Sequence, residues 1–185
     1  MKVHSYQLII FLITSAFLVL ISVRSLRHIN SHGFYRFFAW EFLTAQIVIS
    51  LQTWFDDPLS TWQIISWTLL ALSIYVAVRG FFVLHRYGES QKNLSNINYN
   101  FENTTKLITD KIYKYIRHPP YTSLLLLVWG AFLKNITVYG LVVSLFCTLF
   151  LYTTAKIEEK ENVLIFGEFY IQYMIRSKMF IPFIF

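Results

Sequence analysis

Long stretches without Asp, Glu, Lys or Arg are the feature that most limits the folds open to this chain. Residues 3–23, 58–78 and 135–155 form three such stretches, and 119–133 forms a shorter one. An α-helix of about 20 apolar residues crosses the ~30 Å hydrocarbon core of a bilayer and satisfies its own backbone hydrogen bonds there. Only 14 % of the residues are charged, against about 25 % in soluble domains. The chain is therefore predicted to be an all-α integral membrane protein rather than a cytosolic enzyme.

Five membrane spans are predicted, at about residues 3–23, 34–55, 58–84, 119–133 and 135–155 of a single domain covering 1–185. The second span contains Arg36 and Glu41, and Glu41 is placed to pair with Arg79 of the third. The first span is expected to be retained rather than cleaved as a signal peptide, because its apolar run is long.

The basic residues are distributed unevenly between the two predicted sides of the membrane. Thirteen of the 16 Lys and Arg residues follow spans one, three and five, when Arg36 at the start of span two is counted on the same side. Because basic residues accumulate in cytoplasmic loops, we expect the N-terminus outside and both the C-terminus and the active site in the cytoplasm. The formal net charge of +6 then favours contact with anionic lipid head groups rather than with nucleic acid.

Several kinds of site are excluded by what the sequence lacks. Cys147 is the only cysteine, which excludes a disulfide framework and a cysteine-based zinc site. The six glycines are too scattered for a Gly-rich phosphate or dinucleotide loop. His28 and His32 are four residues apart without an adjacent acidic partner. We therefore predict no metal and no nucleotide loop.

The catalytic region is expected to consist of two hydrophilic stretches on the cytoplasmic side, residues 85–121 and 154–185. The first includes an amphipathic stretch, 106–116, that could lie along the membrane interface. It ends in the sequence Arg117-His118-Pro119-Pro120-Tyr121. Proline is well suited to a helix start, and the N-terminus of a helix favours anions. The acidic pair that begins at Glu158 would face this helix start if the helices bundle.

These motifs resemble the isoprenylcysteine carboxyl methyltransferase family, within a wider group that includes phospholipid N-methyltransferases. The resemblance rests on residues 117–121, Glu158-Glu159, Phe-Gly-Glu-Phe-Tyr-Ile-Gln-Tyr at 166–173 and Phe-Ile-Pro-Phe at 180–183. It extends from about residue 85 to the C-terminus. It implies an integral membrane methyltransferase that uses S-adenosylmethionine in a cytoplasmic pocket, without a Rossmann domain.

The resemblance also implies a set of cofactor-binding residues. Glu158 suits the ammonium group of the cofactor through a charge-assisted hydrogen bond, and His118 suits its carboxylate. Tyr113 or Tyr121 could face the sulfonium through a cation–π contact. The complete set implied is Asn98, Thr105, Lys106, Leu107, Ile108, Tyr113, His118, Pro119, Pro120, Tyr121 and Glu158.

The methyl acceptor implied is the carboxylate of a prenylated cysteine, or a similar lipophilic molecule that enters from the bilayer. The substrate-contacting Arg of the family is replaced by Thr154, so we expect Lys156 or Arg176 to take its place and, with Arg117, to serve as the catalytic residues. A phosphatidylethanolamine-type N-methyltransferase is the close alternative. An NADPH-dependent membrane reductase and a non-enzymatic membrane subunit remain as further alternatives.

Overall fold

The computed structural model describes residues 5–87 and 107–184, and within these ranges the chain is helical, without strands. This confirms the all-helical prediction. The helices are α1 (Ser5–Leu26), α2 (His32–Ser50), α3 (Thr61–Tyr87), α4 (Pro119–Lys134), α5 (Val138–Phe166) and α6 (Glu168–Arg176), with single 3₁₀ turns at Leu51–Thr53 and Lys111–Lys114.

Three of these helices, α1, α3 and α5, are long and apolar enough to cross a membrane. Helix α2 has 19 residues that include Arg36 and Glu41, and α4 has only 16 residues. Neither is among the three candidates, so the five-span arrangement stays a prediction.

Helix α5 continues well past the predicted end of its span. The apolar run stops at Ala155, but the helix extends to Phe166 because the Lys and Glu residues that follow are good helix formers. Its 29 residues measure about 43 Å, so about 13 Å of helix projects beyond a ~30 Å hydrocarbon core.

The surface of α1 is the reverse of that expected for a helix in a water-soluble protein. Its buried residues, Gln7, Ser22 and Ser25, are all polar, whereas Leu20 is 72 % exposed. Small and polar residues at helix interfaces, with apolar residues outward, suit a lipid environment. The pattern supports the assignment of α1 to the membrane.

Glu41 contacts α1 rather than the third predicted span. The Ser15 hydroxyl donates a hydrogen bond to Glu41 Oε1 at 3.0 Å, while Arg79 is exposed on α3. Among the described residues there is no ion pair between Glu41 and Arg79, so that expectation was wrong. Glu41 is the tenth residue of α2, and a charge there lies near the middle of the helix rather than at its end.

Helix pairs are joined by side chains that donate to backbone carbonyls. Between α3 and α4, Ser66 donates to the carbonyl of Gly130 at 2.7 Å and Ser73 to that of Ser123 at 2.8 Å. Helix α2 packs on α1, α4 and α5. The main core cluster lies among α2, α4, α5 and the C-terminal tail and consists of Ala39, Leu43, Tyr121, Val128, Cys147, Leu151, Ala155, Met179 and Phe180.

The segment after α6 returns to the start of α4 and pairs with it through the backbone. The N–H of Lys178 donates to the carbonyl of Tyr115 at 3.0 Å, that of Arg117 to Lys178 at 2.7 Å, and that of His118 to Met179 at 3.2 Å. This parallel pairing fixes the residues that precede α4 against the C-terminal tail.

Candidate active site

A polar pocket lies where the residues before α4 meet the projecting part of α5 and helix α6. Its empty space is about 780 Å³, part of which opens to solvent. Its lining residues are Leu84, Leu107, Ile108, Tyr113, Arg117, His118, Pro120, Tyr121, Glu158, Asn162, Phe166, Tyr170 and Tyr173.

Glu158 is the acidic residue of this pocket. The hydroxyl of Tyr121 donates a hydrogen bond to its Oε2 at 2.5 Å, and His118 Nδ1 lies 3.8 Å from its Oε1. The Glu158 side chain is 30 % exposed, so it can still accept hydrogen bonds from a molecule in the pocket. This arrangement suits a positively charged ligand group.

The neighbouring Glu159 points away from the pocket and holds Arg117. Arg117 Nε donates to Glu159 Oε1 at 2.7 Å, and the glutamate side chain is only 3 % exposed. Lys156 Nζ lies 3.3 Å from the other oxygen. The Arg117 guanidinium also donates to the carbonyls of Met174 and Ser177, so it joins α5, α6 and the start of the tail.

Tyrosines form much of the remaining pocket wall. Burial raises the pKa of Tyr113, and the negative charge of Glu158 raises it further. Burial likewise raises the pKa of Tyr170 and of Tyr173. These phenols therefore remain neutral at physiological pH. With Tyr121, they surround one carboxylate with aromatic rings, and aromatic faces attract cations.

Two buried polar atoms in the pocket have no hydrogen-bond partner among the described residues: Tyr113 Oη and His118 Nε2. His118 Nε2 lies 3.5 Å from Glu159 Oε1, without hydrogen-bond geometry. Buried polar groups are nearly always satisfied in proteins. Their presence in a pocket wall therefore points to a ligand that supplies the missing partners.

The start of α4 offers fewer backbone donors than the sequence suggested. Pro119 and Pro120 have no N–H, and the N–H of Thr122 donates to the His118 carbonyl at 2.9 Å. Side chains rather than a row of backbone amides must therefore supply most of the recognition of an anion.

The structure brings eight of the residues expected from the sequence together in this pocket. Arg117 is one of them, and Pro119 is not, because it packs against Gly80 of α3. Asn98, Thr105 and Lys106 lie outside the described residues. The eight that line the pocket are Leu107, Ile108, Tyr113, Arg117, His118, Pro120, Tyr121 and Glu158.

Lys156 and Arg176, the expected substitutes for the family's substrate Arg, do not line the pocket. Lys156 lies beside Glu159, and Arg176 is exposed in the last turn of α6. Thr154 is fully buried and donates to the carbonyl of Phe150 at 2.7 Å. In the described part of the pocket the cationic side chains are thus Arg117, which Glu159 binds, and His118 if protonated.

Five lining residues were missed as site residues by the sequence analysis: Leu84, Asn162, Phe166, Tyr170 and Tyr173. Helical spacing contained part of the signal, since Asn162 and Phe166 follow Glu158 at intervals of four and share its face. Asn162 Nδ2 then donates to Tyr170 Oη at 3.4 Å, across the turn between α5 and α6.

A large apolar groove adjoins the pocket, with about 1240 Å³ of empty space. The two are separated by His118 and Phe180, whose ring centres lie 6.3 Å apart, and by the adjacent residues Tyr121 and Thr122. Groove residues come from α3, α4, α5 and the tail: Leu69, Thr122, Leu125, Leu126, Trp129, Leu145, Thr148, Leu149, Tyr152, Phe180 and Ile181.

Comparison of the sequence with known proteins places this chain in a family. Residues 61–169 match the family model described as phospholipid methyltransferase. The chain is 31 % identical over 140 residues to the methanethiol S-methyltransferase of Crocosphaera subtropica, an alignment that covers 74 % of this chain and 53 % of that protein. It is 36 % identical over 74 residues to the methanethiol S-methyltransferase of Pseudomonas deceptionensis, which covers 40 % of this chain and 28 % of the relative.

The chain thus spans about half the length, or less, of the curated relatives that it matches. No solved structure matches it significantly.

Proposed function

Because the chain belongs to the phospholipid methyltransferase family, we propose that it transfers a methyl group from S-adenosylmethionine to a lipophilic acceptor. The observation that carries this proposal is one pocket that combines Glu158 with Tyr113 Oη, a buried atom that has no hydrogen-bond partner among the described residues. An apolar groove lies directly beside it. The proposed site therefore has a polar part for the methyl donor and an apolar part for the acceptor.

The residues present fit S-adenosylmethionine, which carries an ammonium, a carboxylate and a sulfonium. Glu158 would bind the ammonium through a charge-assisted hydrogen bond. His118, which lines the pocket, would contact the carboxylate. Tyr113 Oη would donate to the carboxylate or to another polar atom of the cofactor, which supplies the partner that this buried group lacks. The pocket tyrosines would face the sulfonium. The cofactor supplies a methyl group made electrophilic by the positive sulfur.

The contribution of the protein is chiefly to position the two reactants. Holding reactants in an aligned geometry can lower a barrier by about 7–11 kcal/mol. Glu159 lies behind the pocket wall and binds Arg117, whose guanidinium in turn donates to the carbonyls of Met174 in α6 and Ser177 in the tail; these bonds support the wall. Phe180 lines the groove, and its ring centre lies 6.3 Å from that of His118 in the pocket.

The nature of the acceptor follows from the groove and from the charges around the pocket. The groove lies beside membrane-candidate helices and is lined mostly by Leu and aromatic residues, which suits an acyl or prenyl chain. A carboxylate acceptor would require a cation, but the Arg117 guanidinium is engaged by Glu159. A neutral amine on a lipophilic carrier is therefore better supported than the carboxylate of a prenylated cysteine, whereas a thiol would have to react as its anionic thiolate.

Methylation of a small thiol is the second candidate function. It is favoured by the names of the curated relatives, which are methanethiol S-methyltransferases. A molecule of that size would occupy the polar pocket without the groove. The two candidates therefore differ in whether the groove matters for activity.

A parallel acceptor assay tests the proposal and separates these candidates. The purified chain in lipid nanodiscs would receive labelled S-adenosylmethionine with phosphatidylethanolamine, a farnesylated cysteine analogue or methanethiol. We expect methylation of a lipophilic acceptor, and its loss when Leu149→Trp fills the groove. Leu141→Trp, on the same helix outside the groove, is the matched control. Activity on methanethiol alone, unaffected by Leu149→Trp, would establish the second candidate instead.

A further inference from the structure

An exposed patch beside the pocket combines apolar rings with lysines. We call the tail patch the set Lys114, Tyr115, Lys178, Phe183 and Ile184. The Tyr115 and Phe183 rings meet edge to face with centres 5.8 Å apart, and Lys114 Nζ lies 5.8 Å from the centre of the Tyr115 ring. Phe183 is 81 % exposed and Ile184 is 76 % exposed. Such a concentration of exposed apolar surface normally marks an interaction site.

The charge around the tail patch is predominantly positive. Lys111 and Arg176 flank its two lysines and are likewise exposed. The acidic residues on the same two elements are Asp110 and Glu168, and Glu168 accepts a hydrogen bond from Gln172 at 2.8 Å. A partner that fits the patch therefore carries negative charge at its surface, which matches the lysines, and has an apolar interior, which matches the exposed apolar side chains.

The backbone places the patch close to the apolar groove. Thr122, in the first turn of α4, donates to the carbonyl of Phe180 at 3.1 Å. Phe180 and Ile181 line the apolar groove together with Leu125 and Leu149. Phe183 follows two residues later, so the patch lies next to the apolar groove.

We infer that the tail patch docks on anionic lipid head groups of the leaflet next to the pocket. The apolar residues of the patch enter the head-group boundary, as exposed aromatics do at membrane interfaces, and its lysines contact phosphate groups. Because the tail pairs with Tyr115, Arg117 and His118 through its backbone, docking also holds one wall of the pocket in place. The inference does not depend on what the pocket binds.

A single fluorescent label measures this contact. Ile184→Cys introduces a reactive thiol at the tail, while the native Cys147 is fully buried. The full chain would be placed in nanodiscs of phosphatidylcholine alone or with added phosphatidylglycerol, each containing a lipid-attached quencher. We expect severalfold stronger quenching in the anionic discs, and loss of that increase in Lys114→Gln/Lys178→Gln or at high salt.

Lys160→Gln, which neutralises an exposed lysine on α5 outside the patch, should keep the full quenching and serves as the matched control. The melting temperature of each variant checks that the fold is retained. Equal quenching in both lipids would overturn the anionic docking, because apolar insertion alone would then suffice. Absence of quenching in both would overturn membrane docking of the tail altogether.

Discussion

The two adjacent glutamates of α5 have different surroundings because one residue turns a helix by about 100°. Glu158 faces the pocket and accepts from Tyr121. Glu159 is buried against Arg117. A ligand therefore meets the first carboxylate, while the second stabilises the wall behind it. This division predicts different consequences for the two substitutions.

Glu159→Gln should destabilise the fold, because it leaves the largely buried Arg117 without its carboxylate. Removing one partner of a buried ion pair costs about 3–5 kcal/mol of unfolding free energy. Thermal unfolding in detergent measures the change. Glu168→Gln, at an exposed position on α6, is the control and should leave the melting temperature unchanged. Equal melting temperatures for both variants would contradict the supporting role of Glu159.

Tyr113→Phe and Tyr173→Phe form a second contrast within the pocket. Tyr113 Oη has no partner, so its removal should leave the unfolding free energy unchanged or raise it. Tyr173 Oη donates to the Tyr113 carbonyl at 2.6 Å, so its loss should cost about 1–3 kcal/mol. Only Tyr113→Phe should weaken the binding of a ligand without lowering the unfolding free energy. An equal loss of stability in both variants would show that Tyr113 Oη is already satisfied.

The sequence motif predicted the residues around Arg117-His118 and Glu158 as a site, because they adjoin a helix start and a span end. It did not predict that Tyr170 and Tyr173 would reach the same pocket. Their position depends on the direction in which α6 leaves α5, and that direction is set by the backbone of one residue.

At the level of elements, the direction of α6 is set by Gly167. This residue joins α5 to α6 with φ +58° and ψ −134°. This region of backbone space is open essentially to glycine alone. A Cβ at this position would meet nothing within 4 Å, so the constraint is backbone strain rather than a clash.

Gly167→Ala should therefore lower the unfolding free energy by about 1–3 kcal/mol and displace α6 from the pocket. Thermal unfolding and hydrogen exchange of the 168–176 peptide measure the two effects. Glu168→Ala, at the exposed neighbouring position, should change neither. Unchanged exchange in Gly167→Ala would contradict the role given to this turn.

The existence of the long helices was predictable from uncharged runs, because lipid demands apolar side chains over a whole span. Their ends were not. A span ends where charge begins, but the helix ends where hydrogen bonding stops, and α5 continues for 11 residues past Ala155. That extension carries Glu158, Asn162 and Phe166, and the last two were missed as pocket residues because they lie beyond the predicted span.

On the scale of the whole molecule, aromatic residues gather at the end opposite the pocket. The starts of α1 and α3 and the turn after α2 meet there: Gln52 Nε2 donates to Tyr6 Oη at 3.1 Å and Gln63 Nε2 to the Thr53 carbonyl at 3.4 Å. Aromatic residues at this end are Tyr6, Trp54, Phe55, Trp62 and Tyr139. Such belts mark membrane interfaces. Among the described residues, Lys134 lies at this end, over the Trp54 and Trp67 rings, whereas most basic residues lie at the other end.

Asp57→Cys should therefore react with a membrane-impermeant thiol reagent from the outside of oriented vesicles. Asp57 is exposed in the turn before α3, and the native Cys147 is fully buried. A second variant, Lys160→Cys, should react only from the cytoplasmic side. Labelling of Asp57→Cys from the cytoplasmic face would reverse the proposed orientation and place the pocket outside.

The central claim is that the pocket around Glu158 binds S-adenosylmethionine, and calorimetric titration of the detergent-purified full chain tests it most directly. We expect saturable binding at one site per chain. Loss of a charge-assisted bond costs about 1.5–3 kcal/mol, so Glu158→Gln should bind roughly ten- to a hundredfold more weakly, with its melting temperature unchanged. Asp57→Asn, at the far end, should bind as the unaltered chain does. No binding by the unaltered chain, or an equal affinity in Glu158→Gln, would contradict the account.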